Sequence, residues 1–383
     1  MRIYQYMRMP RVWILGFVVL VLISFFVLSG NYTIEVARGV RSFFGGNNSL
    51  VDTIQEGVAL LKASPPLEYT TTKKQIALAI YDRRKQNLFE KRIWVDDAQN
   101  ITDATTDNIE VRILWWNYFN SVYEIIDHPE MVVVANKFLM LRSTFPETAI
   151  ARLGVDAPTS KYINMTYAPY SEYIHWPDVI VAGKKYLTHH IDEAYRQLRT
   201  DAVESRSSPG LLITEVISED LLKNIVLTEQ VDPGWLRVAD DGGKALVERV
   251  FVIIGANREW AYRYTSSKAG AYGIGQFIES TYDTLADRYP SANLIADRSL
   301  GMADHTNAFK AIALLFDNDR TELMKKIPVV TEEMLAAAYN GGPSRVITAV
   351  RLSSDGWADS KHIAEETRDY VQKFKAIKKL KAF

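Results

Sequence analysis

The sequence predicts a mainly α protein in three parts, and three observations support this fold class. An uninterrupted apolar run covers residues 12–30. Apolar residues recur at three- and four-residue intervals between residues 49 and 95, and the segments after residue 210 begin and end with helix-capping residues. The chain has 383 residues, which is long for one domain. We therefore divide it into residues 1–30, 31–209 and 210–383.

The first part is predicted to be a transmembrane anchor. Basic residues precede the run VWILGFVVLVLISFFVLSG, and no charged residue occurs between Val12 and Glu35. About 20 apolar residues span a bilayer as a helix, and flanking positive charge marks the cytoplasmic side. The alternative is a cleaved signal peptide with Val27 and Ser29 before the cleavage site, although the run lacks an A-x-A ending. In both cases the rest of the chain is expected beyond the cytoplasmic (inner) membrane, in the periplasm or outside the cell.

The composition excludes several kinds of chemistry. The chain has no cysteine, which excludes disulfides, thiolate metal sites and a cysteine nucleophile. A net charge of -1 gives no sign of nucleic-acid binding and is compatible with a neutral carbohydrate or peptide partner. His189, His190 and Asp192 resemble a metal site, but adjacent histidines point to different faces of a helix and no third ligand follows at helical spacing. We expect neither a metal ion nor another cofactor.

Residues 31–209 are predicted to be a helical extracytoplasmic region. The segments SLVDTIQEGVALLKA and KKQIALAIYDRRKQNLFEKRIW carry apolar residues at helical spacing, and the aromatic-rich IEVRILWWNYFNSVYEII is expected to be a buried helix. Trp115 and Trp116 are expected to lie in a core rather than in a sugar-binding surface. The polar stretch ESRSSPG at residues 204–210 is the best linker candidate. These patterns do not indicate what the region does.

Glu229 is the first candidate for chemistry. The segment ISEDLLKNIVLTEQVDPGW begins with Ser218, a good N-cap, and its helix must stop before Pro233. Leu222, Val226 and Glu229 are spaced i, i+4, i+7, which places a carboxyl on the apolar side at the C-terminal end. Burial and the negative end of the helix dipole favour the protonated carboxyl that a general acid requires. The alternative is a glutamate that only marks the exposed end of the helix.

A glycine-rich loop follows in the segment KAGAYGIGQFIESTY. It is too rich in glycine for a stable helix and too irregular for a strand. The bare backbone around Gly273 lets a ligand approach its N–H and C=O groups, and Gln276 offers a donor and an acceptor suited to hydroxyl and acetamido groups. The alternative is a tight turn that allows close helix packing.

Three later segments extend the pattern. LAAAYNGGPSRV leads a helix of small residues into Tyr339, Asn340 and a glycine cap. SLGMADHTNAFKAIALLF is an amphipathic helix with Asn307 near its start, and EETRDYVQKF places Tyr370 on a last helix. In order, E…GAxGxxQF…N…AYNGG…ETxxYV resembles the soluble-type lytic transglycosylases, which share the goose-type lysozyme fold. The resemblance covers residues 211–375 and implies a lysozyme-like α domain there.

The resemblance implies an enzyme that cleaves the β-1,4 bond between N-acetylmuramic acid and N-acetylglucosamine in peptidoglycan without water. One glutamate, here Glu229, would protonate the leaving oxygen, and the substrate's acetamido oxygen would stabilise the developing cation. The same carboxylate would then take the proton of the muramyl C6 hydroxyl, which closes a 1,6-anhydro ring. The substrate-binding residues implied in this way are Gly273, Gln276, Tyr339, Asn340 and Tyr370, of which Tyr370 would support Glu229 or the acetamido group.

Two features depart from the family pattern. Gln230 follows the glutamate where the family commonly has serine. The gap between Glu229 and Gln276 is also longer than usual, because it contains the predicted inserted helix KALVERVFVIIGANREWAYRYT. Membrane-bound B-type lytic transglycosylases carry an insertion at this place. Glu259 stands at the common spacing from Gln276 and is the alternative acid, but the residues after it lack the family's context.

Two other functions stay open at the level of sequence. A hydrolytic muramidase, in which water attacks the sugar, needs a second carboxylate, and the nearby candidates are Asp232, Asp240 and Asp241. A non-catalytic glycan-binding wall scaffold would keep the groove without a working acid.

Overall fold

The computed structural model describes residues 49–102, 109–144, 161–267 and 270–383. The mainly α class is confirmed at a coarse level, because the described residues are about 54% helical and contain 12 α-helices and one part made of β-sheet. The predicted membrane anchor at residues 12–30 lies outside the described residues. Each helix of the described part is too short or too polar to cross a bilayer.

The first described region, which we call the sheet region (residues 49–168), is built on antiparallel strands. It begins with helix α1 (Leu50–Ala63), whose N-terminus is closed by a capping box between Ser49 and Asp52. Four strands pair in the order β2-β1-β5-β6, and β3 and β4 form a separate pair. The strands are β1 (Lys73–Asp82), β2 (Asn87–Asp96), β3 (Val111–Trp115), β4 (Val122–Ile125), β5 (Met131–Leu141) and β6 (Tyr162–Tyr167). One face of the sheet packs against α1 and the other against β3 and β4.

The helix predicted from KKQIALAIYDRRKQNLFEKRIW is wrong, because these residues form the hairpin β1–β2. Strand β1 is an inner strand buried on both faces, so its apolar run lacks the two-residue alternation that separates a strand from a helix. The turn contains neither glycine nor proline. Instead, the Asp82 carboxylate accepts hydrogen bonds from the backbone N–H groups of Arg84 (2.9 Å) and Lys85 (3.0 Å).

The buried helix predicted from IEVRILWWNYFNSVYEII is also wrong. Strands β3 and β4 pair in antiparallel fashion across a short 3-10 turn at Tyr118–Asn120. The Asn117 N–H donates to Ser121 Oγ (3.2 Å) and closes that turn. The ring of Trp116 packs edge-on against Phe138, whereas Trp115 is 43% exposed. The expected core position therefore holds for Trp116 and not for Trp115.

The second region, which we call the helical region (residues 177–380), follows directly. The helices predicted around Glu229, Asn307, Tyr339 and Tyr370 are confirmed as α4, α9, α10 and α12. The helices are α2 (Pro177–Thr200), α3 (Ile213–Val216), α4 (Glu219–Gln230), α5 (Pro233–Val238), α6 (Lys244–Asn257), α7 (Glu279–Arg288), α8 (Arg298–Ala303), α9 (His305–Met324), α10 (Glu332–Gly341), α11 (Pro343–Ser353) and α12 (Glu365–Leu380). Helix α9 is buried along most of its length and forms the centre of this region.

The predicted linker at residues 204–210 is held firmly against α9. The Asp317 carboxylate accepts hydrogen bonds from Ser205 Oγ (2.6 Å), Ser207 Oγ (2.7 Å) and the Arg206 N–H (2.7 Å). Helix α2, which precedes this segment, shares its core with α4 and α9. The helical packing that surrounds the candidate site thus begins at α2, upstream of residue 210.

A helix in the predicted inserted segment is confirmed as α6, which ends at Asn257, and it joins the two regions. Its buried residues belong partly to the core of the helical region and partly to the core under α1 and the sheet. Gln55 Nε2 on α1 donates to Ala256 O (2.7 Å). Asn257 exchanges two hydrogen bonds with the backbone of Ala168, at 2.8 and 2.9 Å. The chain then continues from α6 towards the loop that carries Gln276.

Candidate functional site

Glu229 lies in the last turn of α4, as the residue spacing predicts. Leu222 and Val226, on the same side of the helix, are fully buried. The helix ends at Gln230, and α5 starts at Pro233 after a short extended link. Glu229 is consequently partly exposed at the edge of the helical core.

The surroundings of Glu229 favour its protonated form. Burial is the largest influence and raises the pKa of Glu229, and the nearby carboxylate of Glu366 raises it further. The hydrogen bond from Tyr370 Oη to Glu229 Oε1 (2.5 Å) and the charge of Lys373 act in the opposite direction. The net result is a pKa above the ordinary glutamate value. A carboxyl of this kind can hold a proton where exposed carboxyls have lost it.

Helix α12 presents one face to this carboxyl. Glu366, Tyr370 and Lys373 are spaced i, i+4, i+7 and therefore lie on one side. Lys373 is buried and donates to Val231 O (2.7 Å), which fixes the chain just after Glu229. Burial lowers the pKa of Lys373, while the charge of Glu229 raises it. Sequence reasoning missed Glu366 and Lys373, although their helical spacing from Tyr370 was visible.

The glycine-rich loop lies beside the end of α4. Gln230, the residue that departs from the family pattern, donates from Nε2 to Ile274 O (2.9 Å) and so ties α4 to the loop. Gly273 is buried with a φ of 73°, and a Cβ there would lie 2.1 Å from Met302 O. Glycine at 273 is therefore required for close packing against α8, which is the alternative stated for this loop.

Gln276 uses only part of its side chain within the protein. Its Nε2 donates to Gly273 O (2.8 Å) and Thr265 O (3.3 Å). Within the described residues its Oε1 accepts no hydrogen bond, and an amide oxygen can accept one from a ligand. The residue has a φ of 49°, which is uncommon for a side chain other than glycine.

Tyr339 and Asn340 lie at the end of α10 next to the same loop. Tyr339 Oη donates to Gly275 O, and its ring packs against Phe277. Asn340 is exposed, and its Oδ1 accepts from Thr367 Oγ1 on α12 (2.8 Å). The predicted glycine cap is confirmed, since the Gly342 N–H donates to Ala338 O to end α10. The loop, α10 and α12 are thus brought together around Glu229.

Asn307 has a structural part in this arrangement. It is buried, its Nδ2 donates to Tyr282 Oη and to Gly301 O (both 2.8 Å), and its Oδ1 accepts from the Ile295 N–H (2.9 Å). Its polar groups are satisfied inside the protein. Asn307 therefore holds α7, α8 and α9 together beneath the site.

The alternative acid Glu259 lies in a different setting. It is exposed in a 3-10 turn at Arg258–Trp260. There it lines a shallow depression between α1 and the end of α6, with Lys62 and Trp260 among the other lining residues. No tyrosine hydroxyl donates to Glu259 in the described part of the chain. Its setting lacks the burial and the hydrogen bond that distinguish Glu229.

Two of the three proposed second carboxylates already accept hydrogen bonds from backbone N–H groups at the starts of helices. Asp232 Oδ1 accepts from the Trp235 N–H (3.0 Å) at the start of α5. Asp241 accepts from the Gly243 N–H (2.8 Å) and the Ala245 N–H (2.6 Å) at the start of α6. The carboxylate that acts on Glu229 is instead Glu366.

Comparisons with known proteins do not add to this geometry. No protein-family model matches the chain, and no curated protein matches it. Among the described residues, no three His, Cys, Asp or Glu side chains are grouped closely enough to hold a metal ion. The function must therefore be argued from the site itself.

Proposed function

We propose that the protein is a peptidoglycan lytic transglycosylase in which Glu229 acts first as the acid and then as the base. The observation that carries the proposal is the hydrogen bond from Tyr370 Oη to Glu229 Oε1 (2.5 Å). It joins the first and the last segment of the family pattern at one carboxyl, although 141 residues separate them. The raised pKa of Glu229 supports the role of an acid.

The chemistry needs one carboxyl that can change its protonation state twice. Protonated Glu229 gives its proton to the oxygen between the two sugars, while the substrate's acetamido oxygen stabilises the cation at C1. Glu229, now a carboxylate, takes the proton of the C6 hydroxyl as that oxygen bonds to C1. The 1,6-anhydro ring closes, no water is consumed, and Glu229 is protonated again. Tyr370 and Lys373 stabilise the carboxylate between the two steps.

Two polar groups at the site that have no hydrogen-bond partner among the described residues suit a saccharide. Gln276 Oε1 can accept from an acetamido N–H or a hydroxyl, and the exposed Asn340 Nδ2 can donate. The partner is then the glycan strand of peptidoglycan, reached by a chain that is tethered to the inner membrane by residues 12–30. Neither a metal nor a cofactor has a part in this scheme.

The test is digestion of purified peptidoglycan by the full-length protein in detergent, followed by mass spectrometry of the products. We expect products about 18 Da lighter than hydrolysed muropeptides, because the anhydro ring forms without adding water. Glu229→Gln should lower the rate roughly 10³-fold, whereas Glu259→Gln should cleave like the wild type.

A second candidate, hydrolysis by a muramidase, is favoured by one observation. Glu366 is a second carboxylate close enough to raise the pKa of Glu229, and it could act as the base for a water molecule. Hydrated products, with activity lost in Glu366→Gln, would establish this alternative. Glycan binding without any product would instead identify a wall scaffold.

A further inference from the structure

Two large apolar side chains are exposed immediately after the candidate acid. Trp235 is 65% exposed and Val238 is 68% exposed, and both lie on the short helix α5. Side chains three residues apart share one side of a helix. Trp235 and Val238 therefore form one apolar patch, which begins six residues after Glu229.

The remaining residues of α5 show which way this patch faces. Leu236 packs at Gly243, where a Cβ would lie 2.1 Å from Leu236 Cδ1. Arg237 Nη1 lies 2.9 Å from Asp369 Oδ2 on α12. Because successive helical residues are about 100° apart, Trp235 and Val238 point away from both contacts and into solvent.

The patch is held in a fixed relation to the acid. Trp235 donates its backbone N–H to Asp232 Oδ1 (3.0 Å), which starts α5 just after the α4 helix ends. Lys373 on α12 holds Val231 O, and Asp369 on α12 holds Arg237. The same helix α12 also carries the tyrosine that donates to Glu229. One element thus positions both the acid and the patch.

We propose that Trp235, with Val238 beside it, is a stacking platform for a saccharide ring of the glycan strand, next to the ring that is cleaved at Glu229. The inference rests on the proposed function and adds a subsite to it. A pyranose ring presents C–H groups on one face, which pack on the face of an indole, while its hydroxyls point sideways to water and polar side chains. Exposed Asp232 and Asp240 provide such polar groups beside the patch.

The size of the patch favours a sugar over a protein partner. Two side chains exposed to this extent offer roughly 250 Å² of apolar surface. A stable protein interface buries about 800 Å² on each partner. A single saccharide ring, in contrast, needs little more than one indole face. The patch also lies on the helix that starts at Pro233, just after the helix that carries the candidate acid.

The test is glycan binding by the full-length Glu229→Gln variant in detergent, because this variant cleaves its ligand roughly 10³-fold more slowly than the wild type. The probe is a fluorescent glycan strand that has been freed of stem peptides. Adding Trp235→Ala should raise Kd about tenfold, while Trp235→Phe should keep most of the affinity because a ring remains. Trp115→Ala removes an exposed tryptophan of the sheet region and should leave Kd unchanged. Circular dichroism should show the same helix content in every variant.

The outcomes separate the platform from the proposed function. An unchanged Kd in Trp235→Ala overturns the platform, whether or not the wild type cleaves peptidoglycan. Self-association that Trp235→Ala abolishes would assign the patch to a second copy of the chain and would also overturn it. Failure of the wild type to cleave and of Glu229→Gln to bind glycan would overturn the proposed function and the platform together.

Discussion

The sheet region and the helical region differ in how completely their buried charged side chains are paired. In the sheet region such groups complete the fold. Lys137 is 4% exposed, and its Nζ donates to Ser64 O (2.8 Å) and Pro65 O (3.1 Å), carbonyl groups that follow the last turn of α1. Asp82 makes the β1–β2 turn with two backbone N–H groups. Removing either side chain leaves backbone groups without partners.

In the described part of the helical region, one carboxyl that is buried and one that is half-buried have few hydrogen-bond partners. Asp319 on α9 is 3% exposed, and its Oδ2 has no hydrogen-bond partner among the described residues. Burial raises the pKa of Asp319 to about 7. Glu229 also has a raised pKa, with Tyr370 as its side-chain donor. These groups cost stability when they are charged.

Buried charged groups with partners are residues that the fold needs, whereas buried carboxyls with few partners are residues that the fold tolerates. A buried charge that completes a turn or a helix end stabilises the protein, so it carries no information about function. A buried carboxyl that destabilises the protein when it is ionised is kept for another reason, and groups of that kind cluster at functional sites. The four predictions below test this contrast, from the largest expected effect to the smallest.

Lys137→Met should have the largest effect of the four changes, because it destabilises the sheet region. The change leaves the carbonyl of Ser64 without its charged donor, which costs about 3 kcal/mol in the free energy of unfolding. Urea unfolding followed by circular dichroism would measure it. Lys85→Met is the control, because Lys85 is 75% exposed and its ion pair with Asp82 should contribute little. If both changes lowered the free energy of unfolding equally, the buried lysine would contribute no more than the exposed one, which would contradict this account of the sheet region.

Asp319→Asn should raise the free energy of unfolding, whereas Lys137→Met lowers it. The folded pKa of Asp319 is about 7 and its ordinary value is 3.8, so the wild type loses stability as the pH rises from about 4 to 7. The variant lacks this loss and should be about 2 kcal/mol more stable at pH 8, with no gain at pH 3. Chemical unfolding at several pH values would measure the difference.

Asp317→Asn is the matched control on the same helix. The Asp317 carboxylate accepts from two serine hydroxyls, the Arg206 N–H and Tyr289 Oη, so its neutralisation should destabilise the protein at pH 8. If both variants gained stability, buried charge alone would explain the effect, and the distinction between satisfied and unsatisfied carboxyls would fail.

Tyr370→Phe should slow cleavage about tenfold and move its pH dependence. The Tyr370 hydroxyl lowers the pKa of Glu229, so its removal should raise that pKa and carry the high-pH limb of the rate profile to higher pH. Rates of peptidoglycan solubilisation between pH 4 and 9 would show the shift. In Tyr282→Phe, which removes a buried hydroxyl bonded to Ile295 O, the limb should stay in place. A limb that moves to lower pH in Tyr370→Phe would contradict the assignment.

Glu229→Gln should be the mildest change in stability although it lowers the cleavage rate roughly 10³-fold. Since the folded pKa of Glu229 is raised, the wild type loses stability as the pH rises above the ordinary glutamate value of 4.5. The variant should be about 1 kcal/mol more stable at pH 8 and equal to the wild type at pH 4. Thermal unfolding at both pH values measures this. A loss of stability at pH 8 would mean that the fold needs the charged carboxylate.

The helical region was the more predictable from sequence because its signals are local. Ser218 caps α4, Pro233 limits it, and a glycine ends α10, so each boundary is set by one nearby residue. The resemblance then brought Glu229 and Tyr370 to one site. What it could not give was the hydrogen bond of Gln230 to Ile274, because that partner is reached only in the folded protein.

The sheet region was mispredicted for physical reasons that are visible in two strands. Strand β1 is buried on both faces, so the run IALAIY reads equally as part of a buried helix. In β2 the buried positions are Lys91, Ile93 and Val95, which follow the two-residue period of a strand. The period is hard to recognise in the sequence because one of the buried residues is a lysine. The turn made by Asp82 lacks the usual glycine. Only the pairing of distant strands decides between helix and sheet here.

The most direct test of the central claim is the pKa of the Glu229 carboxyl itself. Infrared difference spectra of wild type minus Glu229→Gln, recorded from pH 3 to pH 9, isolate the protonated carboxyl band of this residue. The structure predicts that the band persists above pH 4.5, since burial outweighs the Tyr370 hydrogen bond and the Lys373 charge. A midpoint at or below that value would show an ordinary carboxylate, and would contradict the assignment of Glu229 as the acid.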